Sequence, residues 1–131
     1  MRSIPLFVIL LASLSLQAQD FTAKCVGVTD GDTITVLVGT EQMKIRLEGV
    51  DTPERSQDFA TRARQFTSSL VFGKHVHILP KEKDRYGRLV ARVRIGDTDI
   101  SLELVRVDLA GHYKKYSSDP TLASAEQQAR A

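Results

Sequence analysis

With 131 residues, 42% of them hydrophobic and 26% charged, the chain has enough apolar material for one domain with a core and is too apolar to be disordered. Its formal charge is +2 at pH 7, so any affinity for a polyanion has to come from local clusters of charge. Cys25 is the single cysteine, which excludes an internal disulfide framework.

The chain begins "MRSIPLFVILLASLSLQAQ", with a basic Arg2, an apolar run from Ile4 to about Leu16 and small or polar residues after it. That run is too short and too poorly flanked to span a bilayer, and it reads as a secretory signal peptide over residues 1–18, cleaved within a few residues of Ala18. Removing Arg2 takes the charge from +2 to +1. The expectation is an exported protein, secreted or periplasmic, whose mature form has no membrane span. Lys24 in front of Cys25 does not suit a lipid-attachment signal, and Cys25 itself reads as a small residue on a strand.

Past the leader, "AKCVGV" (23–28) and "TITVLV" (33–38) are β-rich runs joined by "TDGD", a turn in which Gly31 supplies permissive backbone. They read as a hairpin. "MKIRL" (43–47) alternates, placing Met43, Ile45 and Leu47 on one face and Lys44 and Arg46 on the other, so that Arg46 points away from the core. "FATRARQFTSSLVF" (59–72) carries Phe59, Ala63, Phe66 and Leu70 near helical spacing and is stopped by Gly73. "HVHIL" (75–79) is a strand ended by Pro80, and "LVARVRI" (89–95) is a strand after the turn region "KEKDRYGR". "ISLELVRVDLA" and "PTLASAEQQAR" read as a second and a third helix. Three strands, a helix, two strands and then helices is the order of an α+β fold, a five-stranded OB-fold barrel with three α-helices, in a single domain over residues 23–131.

The polar residues fall at turns and strand ends. "DGDT" (30–33) lies between the first two strands, Arg46 lies on the third, and "DTPE" (51–54) follows directly. Two acid-bearing segments at one rim offer hard oxygen ligands for a divalent cation, from Asp32, Asp51 and a backbone carbonyl, with room for waters and a phosphate. "DGDTITVLVGTE" also looks like an EF-hand loop, but Ile34 and Thr35 stand where that loop needs a ligand and a glycine. Singly, each of these segments is an ordinary turn with solvated charges. His75 and His77 share a strand face and read as exposed side chains. Lys81, Lys83, Arg85 and Arg88 outweigh Glu82 and Asp84, which predicts a positive local potential. Tyr113, Lys114, Lys115 and Tyr116 form a basic-aromatic cluster of the kind that holds single strands, with a solvated loop as the other reading.

In this order, "DGDT", "IRLEGVDTPE", "DRYGR", "LELVRVDLA" and "HYKKYSSDPTLASAEQQAR" resemble the staphylococcal nuclease (thermonuclease) family over nearly all of residues 24–130. The resemblance implies an OB-fold barrel and a Ca²⁺-dependent phosphodiesterase that cleaves DNA and RNA with low sequence specificity, leaving 3′-phosphate ends. By position, Asp32, Asp51 and the Thr52 carbonyl are its Ca²⁺ ligands, and Asp30 is an acid close behind them. Glu54 is its candidate general base, and Arg46 and Arg88 are its phosphate-binding arginines. Arg85, Tyr86, Tyr113 and Tyr116 fall where the substrate is contacted. The implied partner is single-stranded or frayed DNA and RNA, bound by a monomer.

The chemistry asks for these residue types, since planar, permanently charged guanidinium forks suit phosphate oxygens and a carboxylate can orient or deprotonate water. The Thr52-Pro53 step is expected to stop the strand and to aim Asp51 at the metal and Glu54 at the water, so Pro53→Gly should cost activity more than stability. The chain departs from the family pattern at Arg62, where an acid is usual, at Asp108, where a helix-ending glycine is usual, and in stopping at Ala131. The alternative reading is a catalytically silent OB module that binds single-stranded nucleic acid or a protein. An acid cluster that repels phosphate has no use in such a module.

Overall fold

In a computed structural model, the structure describes residues 19–51, 57–107, 109, 111–112 and 119–130. Strands β1 (Phe21–Asp30), β2 (Thr33–Val38) and β3 (Glu41–Leu47) form an antiparallel meander, and β4 is the short Val50–Asp51. Helix α1 (Gln57–Val71) leads to β5 (His75–Lys83) and β6 (Leu89–Ile95), another antiparallel pair. The short β7 (Thr98–Asp99), α2 (Ile100–Arg106), β8 (Gly111–His112) and α3 (Pro120–Arg130) complete the order.

The sheet runs β3-β2-β1-β5-β6-β7, and β3 also pairs with β6, in parallel, through Ile45↔Leu89, Arg46↔Val90 and Leu47↔Ala91. That last pairing closes β1, β2, β3, β5 and β6 into a five-stranded barrel flanked by three helices. Closure leaves those strands with few free edges. Alternation fills the interior: Leu89, Ala91 and Val93 of β6 are buried, as are Ile45 and Leu47 of β3 and Val76 and Ile78 of β5. The buried apolar side chains are chiefly Val, Ile, Leu and Ala, short enough to interdigitate in a narrow barrel. Cys25 belongs to this core as a free thiol, its Sγ donating to the Gly27 carbonyl at 3.4 Å, and burial raises its pKa.

Three expectations are corrected. Strand β5 does not end at Pro80; it continues to Lys83 with a register irregularity between Pro80 and Glu82. A bulge is where a residue without an N–H can sit inside a sheet. Helix α2 stops at Arg106 with Val107 as its cap, well short of residue 110. Gly31 is not among the glycines with positive φ. What it provides is room: a Cβ there would lie 2.8 Å from Ala63 Cβ of α1, and Thr67 Oγ1 donates to the Gly31 carbonyl at 2.7 Å. Gly73, by contrast, ends α1 at φ +77 as expected.

Candidate active site

The β1–β2 turn and the end of β3 meet because Thr33 pairs with Arg46 and the Leu47 N–H donates to the Asp32 carbonyl at 2.8 Å. Asp32 is thereby carried to Arg46 by sheet register and by the close approach of α1 to Gly31. The Asp32 carboxylate is largely buried, accepts from Thr33 Oγ1 at 3.1 Å, and lies 3.6 Å from Arg46 Nη1. Asp51 Oδ1 lies 3.6 Å from Arg46 Nη2, on the open side of the site.

Arg46 faces off the core as the alternation predicts, yet it is not displayed to solvent: its side chain is only 16% exposed. It folds back along its own strand end, and Nη1 donates to the carbonyls of Leu47 at 2.9 Å and Val50 at 2.8 Å. These bonds brace the turn at Gly49, which has φ +85, and so set the start of β4 and with it Asp51. The other end of β4 support comes from β8, through Val50↔His112 and Asp51↔Gly111.

Across the rim, a cleft of about 510 Å³ runs from Arg46 and Asp51 to Lys81, Lys83, Arg85 and Arg88. The cluster of positive charge expected from "KEKDRYGR" therefore faces the acids. Arg88 Nε donates to Asp84 Oδ2 at 2.7 Å, and the exposed Tyr86 ring has the Arg85 and Arg88 guanidinium carbons each 5.6 Å from its centroid. Behind the cleft, Arg92 meets Asp119 at 2.8 Å, Asp99 at 2.9 Å and Glu48 at 3.8 Å, while Lys81 reaches Glu48 at 3.2 Å. Ser101 Oγ donates to the Glu48 carbonyl at 2.9 Å, tying α2 to the same turn. Glu48, Arg92 and Asp99 had no signal in the sequence, since nothing in their local pattern says that three distant segments converge.

Of the site residues expected from the sequence, Asp32, Arg46 and Asp51 come together, and Arg85, Tyr86 and Arg88 line the same cleft. Asp30 ends β1 next to that turn and is exposed. Thr52, Pro53, Glu54, Asp108, Tyr113 and Tyr116 lie outside the described residues. Arg62 is exposed on α1, with its guanidinium carbon 5.8 Å from the Phe59 ring centroid. His75 and His77 are exposed, His77 Nε2 being 3.9 Å from Asp20.

Residues 44–131 match the family model described as staphylococcal nuclease homologue. The chain belongs to this family. The staphylococcal nuclease homologues are phosphodiester hydrolases, and this chain is an enzyme of that class, built on the family's OB-type barrel. A Haemophilus influenzae protein named "Uncharacterized endonuclease" is 40% identical over 111 residues, covering 84% of this chain and 62% of the relative. An Escherichia coli O157:H7 protein of the same name is 35% identical, over 98% of this chain and 84% of its own length. The "Micrococcal nuclease" of Shigella flexneri is 34% identical, over 99% and 80%. The chain thus spans about three fifths of the first relative and most of the other two.

Among the described residues no group of three or more His, Cys, Asp and Glu side chains gathers as a ready metal site. Two carboxylates converging on one guanidinium nevertheless fit a hard, oxygen-seeking dication that fills its other positions with carbonyls, water or phosphate oxygens. The same donor set is poor for zinc, which prefers nitrogen and sulfur. Cys25 is buried in the barrel, and His75 lies eight residues along β5 from Lys83, roughly 26 Å at strand rise. Among the described residues no helix is long and apolar enough to cross a membrane.

Proposed function

We propose that the protein is a Ca²⁺-dependent endonuclease that hydrolyses DNA and RNA with little sequence preference and leaves 3′-phosphate ends. The observation that carries this reading is the shared contact of Asp32 and Asp51 with Arg46, facing Arg88 across one cleft. By formal count Asp32, Asp51 and Arg46 sum to −1, which repels a phosphodiester; a bound dication makes the group +1. In this scheme Asp32, Asp51 and the Thr52 carbonyl hold Ca²⁺. The ion supplies Lewis-acid stabilisation of negative charge on the phosphate.

The remaining work falls to the chain's own side chains. Arg46 and Arg88 bind the non-bridging oxygens, where charge accumulates during attack. Arg46 can serve in this way because its backbone bonds use Nη1 and leave Nη2 toward the open side. Glu54 orients the attacking water or takes its proton, help worth typically about 10²- to 10⁴-fold. Water oxygen bonds to phosphorus, the bond to the 5′ oxygen breaks, and that oxygen keeps the electron pair and takes a proton. The products are a 3′-phosphate and a 5′-hydroxyl. Tyr86, with Tyr113 and Tyr116, offers rings for base or sugar stacking. The apolar run after Arg2 supports export, and the proposed enzyme acts as a monomer.

The purified protein is to be incubated with end-labelled single-stranded DNA and RNA, in Ca²⁺ and then in a chelator. Calcium-dependent cleavage to 3′-phosphates, with Arg88→Ala and Glu54→Gln each reducing it about 100-fold or more, is the expected result. A folded protein that binds the strands without cutting them would establish the silent OB module instead.

A further inference from the structure

One carboxylate in the cleft has no task in that chemistry. Asp84 opens the tight turn 84–88, and its Oδ1 accepts the backbone N–H groups of Tyr86 and Arg88, each at 2.9 Å. The turn is closed as well by the Asp84 N–H to the Arg88 carbonyl at 2.9 Å, with Gly87 at φ +81. One oxygen is enough for all the turn requires. The second, Oδ2, accepts Arg88 Nε at 2.7 Å, and the Arg88 and Asp84 side chains are only 30% and 18% exposed.

A guanidinium can meet an oxyanion along two kinds of edge, Nε with one Nη or the two Nη groups together. Asp84 occupies the first. The Tyr86 ring, 5.6 Å from the guanidinium carbon, restricts the group further. We propose that Asp84 is a positioning residue, which engages Arg88 at Nε and thereby presents the paired Nη groups to the substrate phosphate. This inference rests on the nuclease reading above and adds to it the residue that fixes which face of Arg88 does the binding. Partial burial opposes ionisation of Asp84, but the donors from the Arg88 backbone and side chain and from the Tyr86 N–H outweigh it and hold the carboxyl below its usual range. Asp84 is thus a carboxylate near pH 7.

Asp84→Asn separates the two tasks of this side chain. The Asn Oδ1 keeps both backbone bonds of the turn, whereas its Nδ2 is a donor and cannot accept from Nε. The variant is expected to remain folded with only the modest loss of stability that the missing ion pair brings, to lose about 10-fold or more in kcat with KM little changed, and to lose nothing further when combined with Arg88→Ala. Independently of activity, the Arg88 Nε–H signal in ¹⁵N NMR spectra should exchange slowly with water in the parent and quickly in Asp84→Asn. Parental kcat in Asp84→Asn, an undiminished loss in the Arg88→Ala background, or equal Nε–H exchange in the two proteins would overturn the assignment. If the parent itself does not cleave, the nuclease reading falls, and the exchange comparison alone decides the role of Asp84.

Discussion

Gly31 and Arg46 show how closely single residues are constrained around the acids. At Gly31 the constraint is space, since a methyl group there would meet Ala63 at 2.8 Å. Gly31→Ala should therefore cost about 1–3 kcal/mol by overpacking, measured by urea unfolding, and should reduce cleavage by moving the neighbouring Asp32. Adding Ala63→Gly removes the 2.8 Å contact but leaves the backbone carbon and oxygen of residue 63 at 3.1 and 3.2 Å, and it places a glycine inside α1 at a cost of about 1 kcal/mol, so the double variant should recover only part of the stability. At Arg46 the constraint is shape. One planar group reaches the Leu47 and Val50 carbonyls and faces both carboxylates, which a single ammonium cannot do. Arg46→Lys is expected to lower kcat at least about 10-fold while a titration with Ca²⁺ still shows binding, because the carboxylates remain.

Elements meet behind the cleft through Arg92, whose partners come from the β3–β4 turn, the start of α2 and the start of α3. Asp99 caps α2 by accepting the Leu102 N–H at 3.1 Å, and Asp119 accepts the Thr121 N–H at 2.8 Å at the start of α3. One guanidinium thus fixes two helix starts to the barrel wall. Arg92→Met leaves three shielded carboxylates facing one another and should cost about 3 kcal/mol in urea unfolding. Burial works against the Arg92 charge, but hydrogen bonds and attraction from Asp119 and Asp99 outweigh it and raise its pKa further. None of this was legible in the sequence, because ion pairs between distant segments have no local pattern. The strands β2 and β6 were legible to the residue, since alternation of Val, Ile and Leu with polar residues fills a narrow barrel. The two-residue strands β4, β7 and β8 were not, as such short pieces exist only through their long-range pairing. For the site, motif order pointed to Asp32, Arg46, Asp51 and Arg88, while the inward fold of Arg46 and the second oxygen of Asp84 needed coordinates.

For the molecule as a whole, pH tests the ion pairs together. Hydrogen bonding from Arg92 is the main cause that lowers the pKa of Asp119, against the effect of burial, and Asp84 is lowered as well. A carboxylate whose folded pKa is depressed stabilises fully above its unfolded value of about 3.9, and that contribution is lost as pH falls through the folded value. Urea midpoints should therefore hold steady down to about pH 4 and then drop, with a shallower drop in Asp119→Asn. Calcium should raise the unfolding temperature at neutral pH in proportion to the logarithm of its concentration, and a chelator should remove the gain. The parallel pairing of β3 with β6 has a consequence for when the molecule becomes dangerous. Arg46 and Arg88 belong to segments far apart in the chain, and only barrel closure sets them across one cleft. Such non-local pairings form late, so nuclease activity should return with the slowest refolding phase and a chain ending before Leu89 should be inert. On the proposed function, an unfinished chain is harmless to the messenger and ribosome that produce it, and the capacity to cut arrives only once β6 has closed the barrel.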